Sequence, residues 1–137
     1  MRLWITLFCA LAFVPCHGQV LIKNATLRLL PPLVPNTSAY FVIENTGAQP
    51  EVIVGAATDI ARSVEIHNHI MTAETMRMER VDELAIPSGE SVTFSPGGLH
   101  LMVFGLKQAL VEGQTVTFNL TTKAGLTIPF DAIVVRP

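Results

Sequence analysis

Short runs of alternating apolar and polar residues, cut at intervals by proline, glycine and asparagine, constrain this chain more than any other feature. In Ser63 to His67, Val64 and Ile66 fall on one side and Glu65 and His67 on the other. Met76 to Val81 and His100 to Phe104 alternate in the same way. A period of two is the mark of a strand with one face buried, because successive side chains leave a strand on opposite faces. The runs are separated by turn-forming clusters: Pro31-Pro32, Pro35-Asn36, Asn45-Thr46-Gly47, Pro87-Ser88-Gly89 and Pro96-Gly97-Gly98. The runs number eight or nine, and no amphipathic helical pattern stands among them. The chain is therefore expected to be all-β, an antiparallel β-sandwich or Greek-key barrel. The pattern alone leaves immunoglobulin and cupredoxin topologies both open.

The first residues, MRLWITLFCALAFVPCHGQ, have a different character. Arg2 supplies a positive start and Leu3 to Val14 an apolar stretch, which is the layout of a secretory signal peptide. The stretch falls short of the roughly 20 apolar residues of a membrane span. Residues 1–18 are read as the signal, cut after Gly18, and 19–137 as one domain with no stable membrane insertion after cleavage. A lipid anchor on Cys16 is disfavoured by the bulky Phe13-Val14-Pro15 ahead of it. On this reading both cysteines, Cys9 and Cys16, leave with the signal, so neither disulfide nor thiolate is available to the mature protein. Half of the 137 residues are apolar and only 15% are charged, at a net charge of −2. That composition fits a packed domain, and the absence of a basic run removes support for a nucleic-acid partner.

Histidine and methionine are placed unevenly. Beyond residue 18 the chain has His67, His69 and His100, and Met71, Met76, Met78 and Met102; all seven lie between residues 67 and 102. Thioether is a soft, neutral donor and imidazole a borderline one, a pairing that suits Cu(I). Zinc more often recruits thiolate, imidazole or carboxylate, and calcium or magnesium recruits oxygen. His100 and Met102 share a strand face while Leu101 and Val103 face the core; Met76 and Met78 share another, with Arg77 and Glu79 opposite. With His67 read as the last residue of its strand, three strand ends are expected to converge on one exposed pole. Taken singly, Met76 or Met102 reads more readily as core filler, and a lone strand histidine as a surface residue. The charge run Arg77, Glu79, Arg80, Asp82 and Glu83 reads as a solvated face, or less readily as a docking surface.

The spacing His67, ten residues, Met78, twenty-one residues, His100, one residue, Met102 resembles the H-x10-M-x21-H-x-M signature of the PCu(A)C family of periplasmic copper chaperones. The segments AYFVIENTGAQPEVIVGAAT and VEIHNHIMTAETMRMERVDELAIPSGESVTFSPGGLHLMVFGLK are similar to that family too. The likeness runs over essentially residues 20 to 135. It implies a cupredoxin-like β-sandwich in the periplasm holding one Cu(I) per chain through His67, Met78, His100 and Met102. It implies delivery toward the CuA centre of cytochrome c oxidase, often alongside a thioredoxin-like thiol protein. Some members carry a Met/His-rich C-terminal tail with further metal sites. This sequence ends at Pro137 without one, so a single site is expected. His69, Met71 and Met76 fall off the signature, with shielding or transient holding of the ion as their suggested roles.

Other functions fit less well. A blue-copper electron carrier needs a cysteine thiolate. No nucleophile elbow, Ser-His-Asp spacing or carboxylate pair argues for an enzyme. Copper storage or resistance, and a metal-free Ig-like interaction module, stand as alternatives. One site on one small domain suggests a monomer that docks transiently.

Overall fold

A computed structural model describes residues 20–137, and the signal-peptide reading of residues 1–18 lies outside them. Ten strands follow one another: β1 (Val20–Arg28), β2 (Thr37–Asn45), β3 (Glu51–Thr58), β4 (Ala61–Met71), β5 (Met76–Arg80), β6 (Leu84–Ile86), β7 (Ser91–Thr93), β8 (His100–Leu106), β9 (Thr115–Thr122) and β10 (Thr127–Val135). Among the described residues there is no helix. The all-β class expected from the alternation is the one observed, and the closed sheet is broadly consistent with the cupredoxin-like sandwich that the family resemblance implies.

The pairings run β4–β8–β2–β1–β10–β9–β3, and β3 pairs again with β4 through Ala56 and Val64, so these seven strands close on themselves. Closure leaves none of these seven strands at the end of a sheet. One contact departs from the expected antiparallel pattern: β1 and β10 are parallel, with Thr26 to Arg28 beside Ile133 to Val135. This pair brings the two ends of the domain together, which local periodicity does not encode. The short strands β5, β6 and β7 lie off the ring, on β4, β3 and β2 respectively.

Inside the ring the aromatic rings of Phe41, Phe94, Phe118 and Phe130 form the centre. Phe41 stacks on Phe94 at 4.3 Å and meets Phe130 at 4.9 Å, and Phe118 stacks on Phe130 at 5.4 Å. Leu27, Ile43, Ile53, Leu101, Val103, Leu120 and Val134 belong to the same buried core. Each is one member of an alternating set whose neighbours face outward. The β1 alternation breaks at Asn24, which takes φ 55° at the irregularity between Lys23 and Thr26. Asparagine tolerates that left-handed conformation better than most residues.

One expectation needs correction. His67 does not close its strand: β4 continues to Met71 and pairs with β5 over residues 67 to 71. The Thr72–Thr75 turn clasps this hairpin, with Thr72 N–H donating to the Thr75 carbonyl at 2.9 Å and the two hydroxyls 2.8 Å apart. Leu84–Ile86 adds a strand that alternation does not mark, since three residues are too few to display a period. Its pairing with Glu51 to Ile53 supplies the stability that its length does not.

Candidate metal centre

The register of β5, β4 and β8 arranges the histidines and methionines in rows across the outer face of the ring. His67 lies directly opposite His100 in β8 and opposite Arg80 in β5. Glu65 lies opposite Met102, His69 opposite Met78, and Met71 opposite Met76. Directly opposed residues in an antiparallel pair project from the same face. Beneath them Val64 meets Val103 and Ile66 meets Leu101, all in the core. The alternation that buries four aliphatic side chains thus delivers the donor-bearing side chains to one surface.

The four residues of the signature do not meet at strand ends. His67 comes from the middle of β4, His100 from the first residue of β8. Met102 is two residues further along β8, and Met78 sits on the diagonal from His67 across β5. Nor is the face uniformly exposed. His100 is 3% exposed and Met78 47%. His69, which the signature leaves out, is part of the cluster: its ring centroid is 5.0 Å from that of His100, nearer than His67 at 5.9 Å. Phe104 walls the other side of His67 at 5.8 Å.

Hydrogen bonds orient the imidazoles. The turn at Pro96-Gly97-Gly98, with Gly97 at φ 82°, lets Gly98 N–H reach the Ser95 carbonyl and presents the Gly98 carbonyl to His100. His100 Nδ1 is 3.0 Å from that oxygen. A carbonyl only accepts, so Nδ1 carries the proton and Nε2 keeps the lone pair of the neutral ring. Burial lowers the pKa of His100 below its ordinary 6.5, the Gly98 hydrogen bond opposes the shift, and the charges of His69 and His67 add to it. The neutral, lone-pair-bearing form is therefore favoured.

His67 is held the other way round. Its Nε2 is 2.8 Å from Oε2 of Glu65, whose Oε1 in turn takes Nη1 of Arg80 at 3.3 Å. With Nε2–H donated to the carboxylate, the lone pair of the neutral ring sits on Nδ1. That Nδ1 is buried and has no hydrogen-bond partner; the same is true of Nδ1 of His69. A buried polar atom left unpaired costs on the order of 1–3 kcal/mol, and a lone pair of this kind on His67 Nδ1 could serve a metal ion. The Ser38 hydroxyl donates to Met102 Sδ at 3.7 Å, which positions the thioether beside His100.

Sequence reasoning missed Glu65 and Arg80. Glu65 precedes His67 by two residues on the same face, which was the available signal; Arg80 was read only as part of a charge run. Among the described residues, no group of three or more His, Cys, Asp and Glu side chains is disposed to hold a metal ion. A metal site on this face would have to include thioether donors, which are soft.

A family model described as "Putative lipoprotein LpqE-like" matches residues 20–134. The chain belongs to the LpqE-like family. A relative within reach of this family's description is the "Putative lipoprotein Lxx21020" of Leifsonia xyli subsp. xyli (strain CTCB07), 36% identical over 95 residues. The match takes in 68% of this chain, which spans only 57% of that relative's length. Among solved structures, the solution structure of CuI-DR1885 from Deinococcus radiodurans is 34% identical with a TM-score of 0.66, covering 83% of this chain and 76% of that one. The copper-bound PCuAC domain from PmoF2 superposes with a TM-score of 0.72 at 22% identity, over 88% of this chain and 99% of the domain, and shows the shared fold. The LpqE-like chain thus has the architecture of the PCuAC domains.

Proposed function

We propose that this LpqE-like protein is a Cu(I) chaperone that holds one ion through His67 Nδ1, His100 Nε2, Met78 Sδ and Met102 Sδ and passes it to an acceptor. The observation that carries the reading is the buried, unpartnered Nδ1 of His67, on the ring opposite His100. Two neutral nitrogens and two thioethers make a donor set with no charge of its own. Such a set favours a soft monovalent ion over zinc, calcium or magnesium. The 34%-identical relative is described as a Cu(I) protein, which supports the same cargo here.

Partial exposure supports transfer in preference to storage. Met78 is accessible, so an incoming donor displaces it first while His67 and His100, held by Glu65 and Gly98, stay oriented. The acceptor we infer is a CuA-type site of cytochrome c oxidase, with a thioredoxin-like thiol protein keeping the acceptor cysteines reduced. The protein works outside the cytoplasm, in the periplasm where the cell has one. Export is supported by the apolar N-terminal stretch and by the lipoprotein descriptions of the family and of the Leifsonia relative. Those descriptions make Cys16 an anchor candidate, and labelling cells with a palmitate analogue tests it.

The test of the chaperone reading is transfer. Cu(I)-loaded protein mixed anaerobically with a reduced, copper-free CuA-domain fragment is expected to metallate it, read by the CuA absorption after oxidation. Retention of the ion by this protein in the presence of excess acceptor contradicts delivery and favours storage.

A further inference from the structure

Two large thioethers stand uncovered at the tip of the β4–β5 hairpin. Met71 and Met76 are directly opposed across the two strands and are 75% and 61% exposed. Methionine is ordinarily a filler of core gaps, and neither residue fills one. They lie on the same face as His69 and Met78, and one row further in lie His67 and His100. The hairpin pairs with the ring only through β4, since β5 has no other neighbour and all five of its residues are exposed. The Thr72–Thr75 clasp holds the tip in a defined turn. The charged side chains of β5 nearest the tip, Arg77 and Glu79, alternate onto the opposite face, so the two strand rows nearest the tip, Met71–Met76 and His69–Met78, carry no charged side chain.

We propose that Met71, Met76 and His69 form a second, weaker Cu(I) station at the mouth of the inner site, through which the ion enters and leaves. The inference rests on the copper reading of the inner site.

Three features argue for it. The rows are two residues apart along a strand, about 7 Å, so a Met side chain reaches an ion in the neighbouring row. His69 belongs to both neighbourhoods: it is one row from Met71 and Met76, and its ring centroid is 5.0 Å from that of His100. Its Nδ1 is buried without a hydrogen-bond partner, so an acceptor or donor atom there is unspoken for. Exposure then falls inward, from 75% at Met71 through 47% at Met78 to 3% at His100. An ion held by neutral donors along this gradient exchanges one ligand at a time. It keeps its charge and oxidation state and needs no water in its shell. A partner's thiolate approaching the face meets Met71 and Met76 first.

Methionine methyl NMR separates the two sites. In the protein, one equivalent of Cu(I) added anaerobically is expected to shift the Met78 and Met102 methyls, and further Cu(I) the Met71 and Met76 methyls. In a Met78→Leu/Met102→Leu variant the Met71 and Met76 methyls should still respond. If these two methyls stay fixed in both proteins through several equivalents, the outer station is overturned, whatever Met78 and Met102 do. If they respond while Met78 and Met102 do not, the outer station stands and the inner site is the reading that fails. In Met71→Leu/Met76→Leu, the rate of Cu(I) loss to a chromophoric chelator should fall on the order of tenfold, with affinity for the first equivalent kept within about threefold. An unchanged rate contradicts a route through this pair. A collapse of the affinity assigns both residues to the inner site and contradicts a separate station.

Discussion

Glu65 Oε2 and His67 Nε2 are 2.8 Å apart on one face of β4, with Arg80 holding the other carboxylate oxygen. The carboxylate fixes which imidazole nitrogen keeps its lone pair, and it directs that nitrogen away from itself. Outer groups of this kind typically affect metal affinity by 10–100-fold. Glu65→Ala is therefore expected to weaken Cu(I) binding by about 10–100-fold, with Glu65→Gln falling between it and the parent. Competition titration against a chromophoric chelator reads this directly; equal affinities in all three proteins contradict the orienting role.

Met102 offers a separation of binding from folding. Leucine is close to methionine in volume, and such exchanges cost under about 1.5 kcal/mol. Met102→Leu should leave the urea midpoint nearly unchanged while lowering Cu(I) affinity by at least about tenfold, since a soft donor is lost from the set. A large fall in stability without a change in affinity would return Met102 to the role of packing residue.

The apo protein should lose stability on mild acidification. Burial holds His100 below its ordinary pKa of 6.5, against the hydrogen bond to Gly98 and with the charges of His69 and His67 adding to the depression. The unfolded chain takes up this proton near 6.5, the folded chain only at lower pH. Between the two values the unfolded state binds more protons, so stability falls as pH drops through that window. It is fully present above 6.5 and fully lost below the folded value. Denaturant unfolding from about pH 7.5 to about pH 5 should show this slope, and His100→Gln should reduce it. An identical slope in the variant would assign the effect to other groups.

Asn45 is expected to dominate stability at the opposite end of β2 from Thr37. It is fully buried, and its side-chain amide donates to the carbonyls of Gln49 at 2.8 Å and Ile86 at 3.0 Å while its oxygen accepts from Gly47 N–H at 3.0 Å. These bonds tie the β2–β3 turn to β6. Asn45→Ala strands two carbonyls and an amide, a loss of about 2–4 kcal/mol. A change under about 0.5 kcal/mol in chemical denaturation would contradict that role.

Which side chains face inward was legible from alternation alone. Val64, Ile66, Leu101 and Val103 are in the core, and His67, His100 and Met102 are on the outer face, as a period of two requires. Which strands meet was not legible. The opposition of His67 to His100, the parallel β1–β10 pair and the closure of the ring are set by register and long-range packing, which no local pattern carries. His69 stayed off the site for the same reason. Its strand appeared to end at His67, because Asn68 and His69 carry little β preference, and the β5 pairing that extends β4 to Met71 lies in tertiary structure. The Glu65–His67–Arg80 chain needed both the alternation and the register before it could be read.

The proposed Cu(I) site is a single tight one built from two imidazoles and two thioethers. Anaerobic Cu(I) titration against a competing chromophoric chelator, with the protein and its Met78→Leu/Met102→Leu variant side by side, tests it most directly. One tight equivalent in the protein, weakened by about a hundredfold or more in the variant, is the result expected from a soft four-donor site. The absence of a tight equivalent, or one that the double substitution leaves unchanged, would contradict a site of this composition.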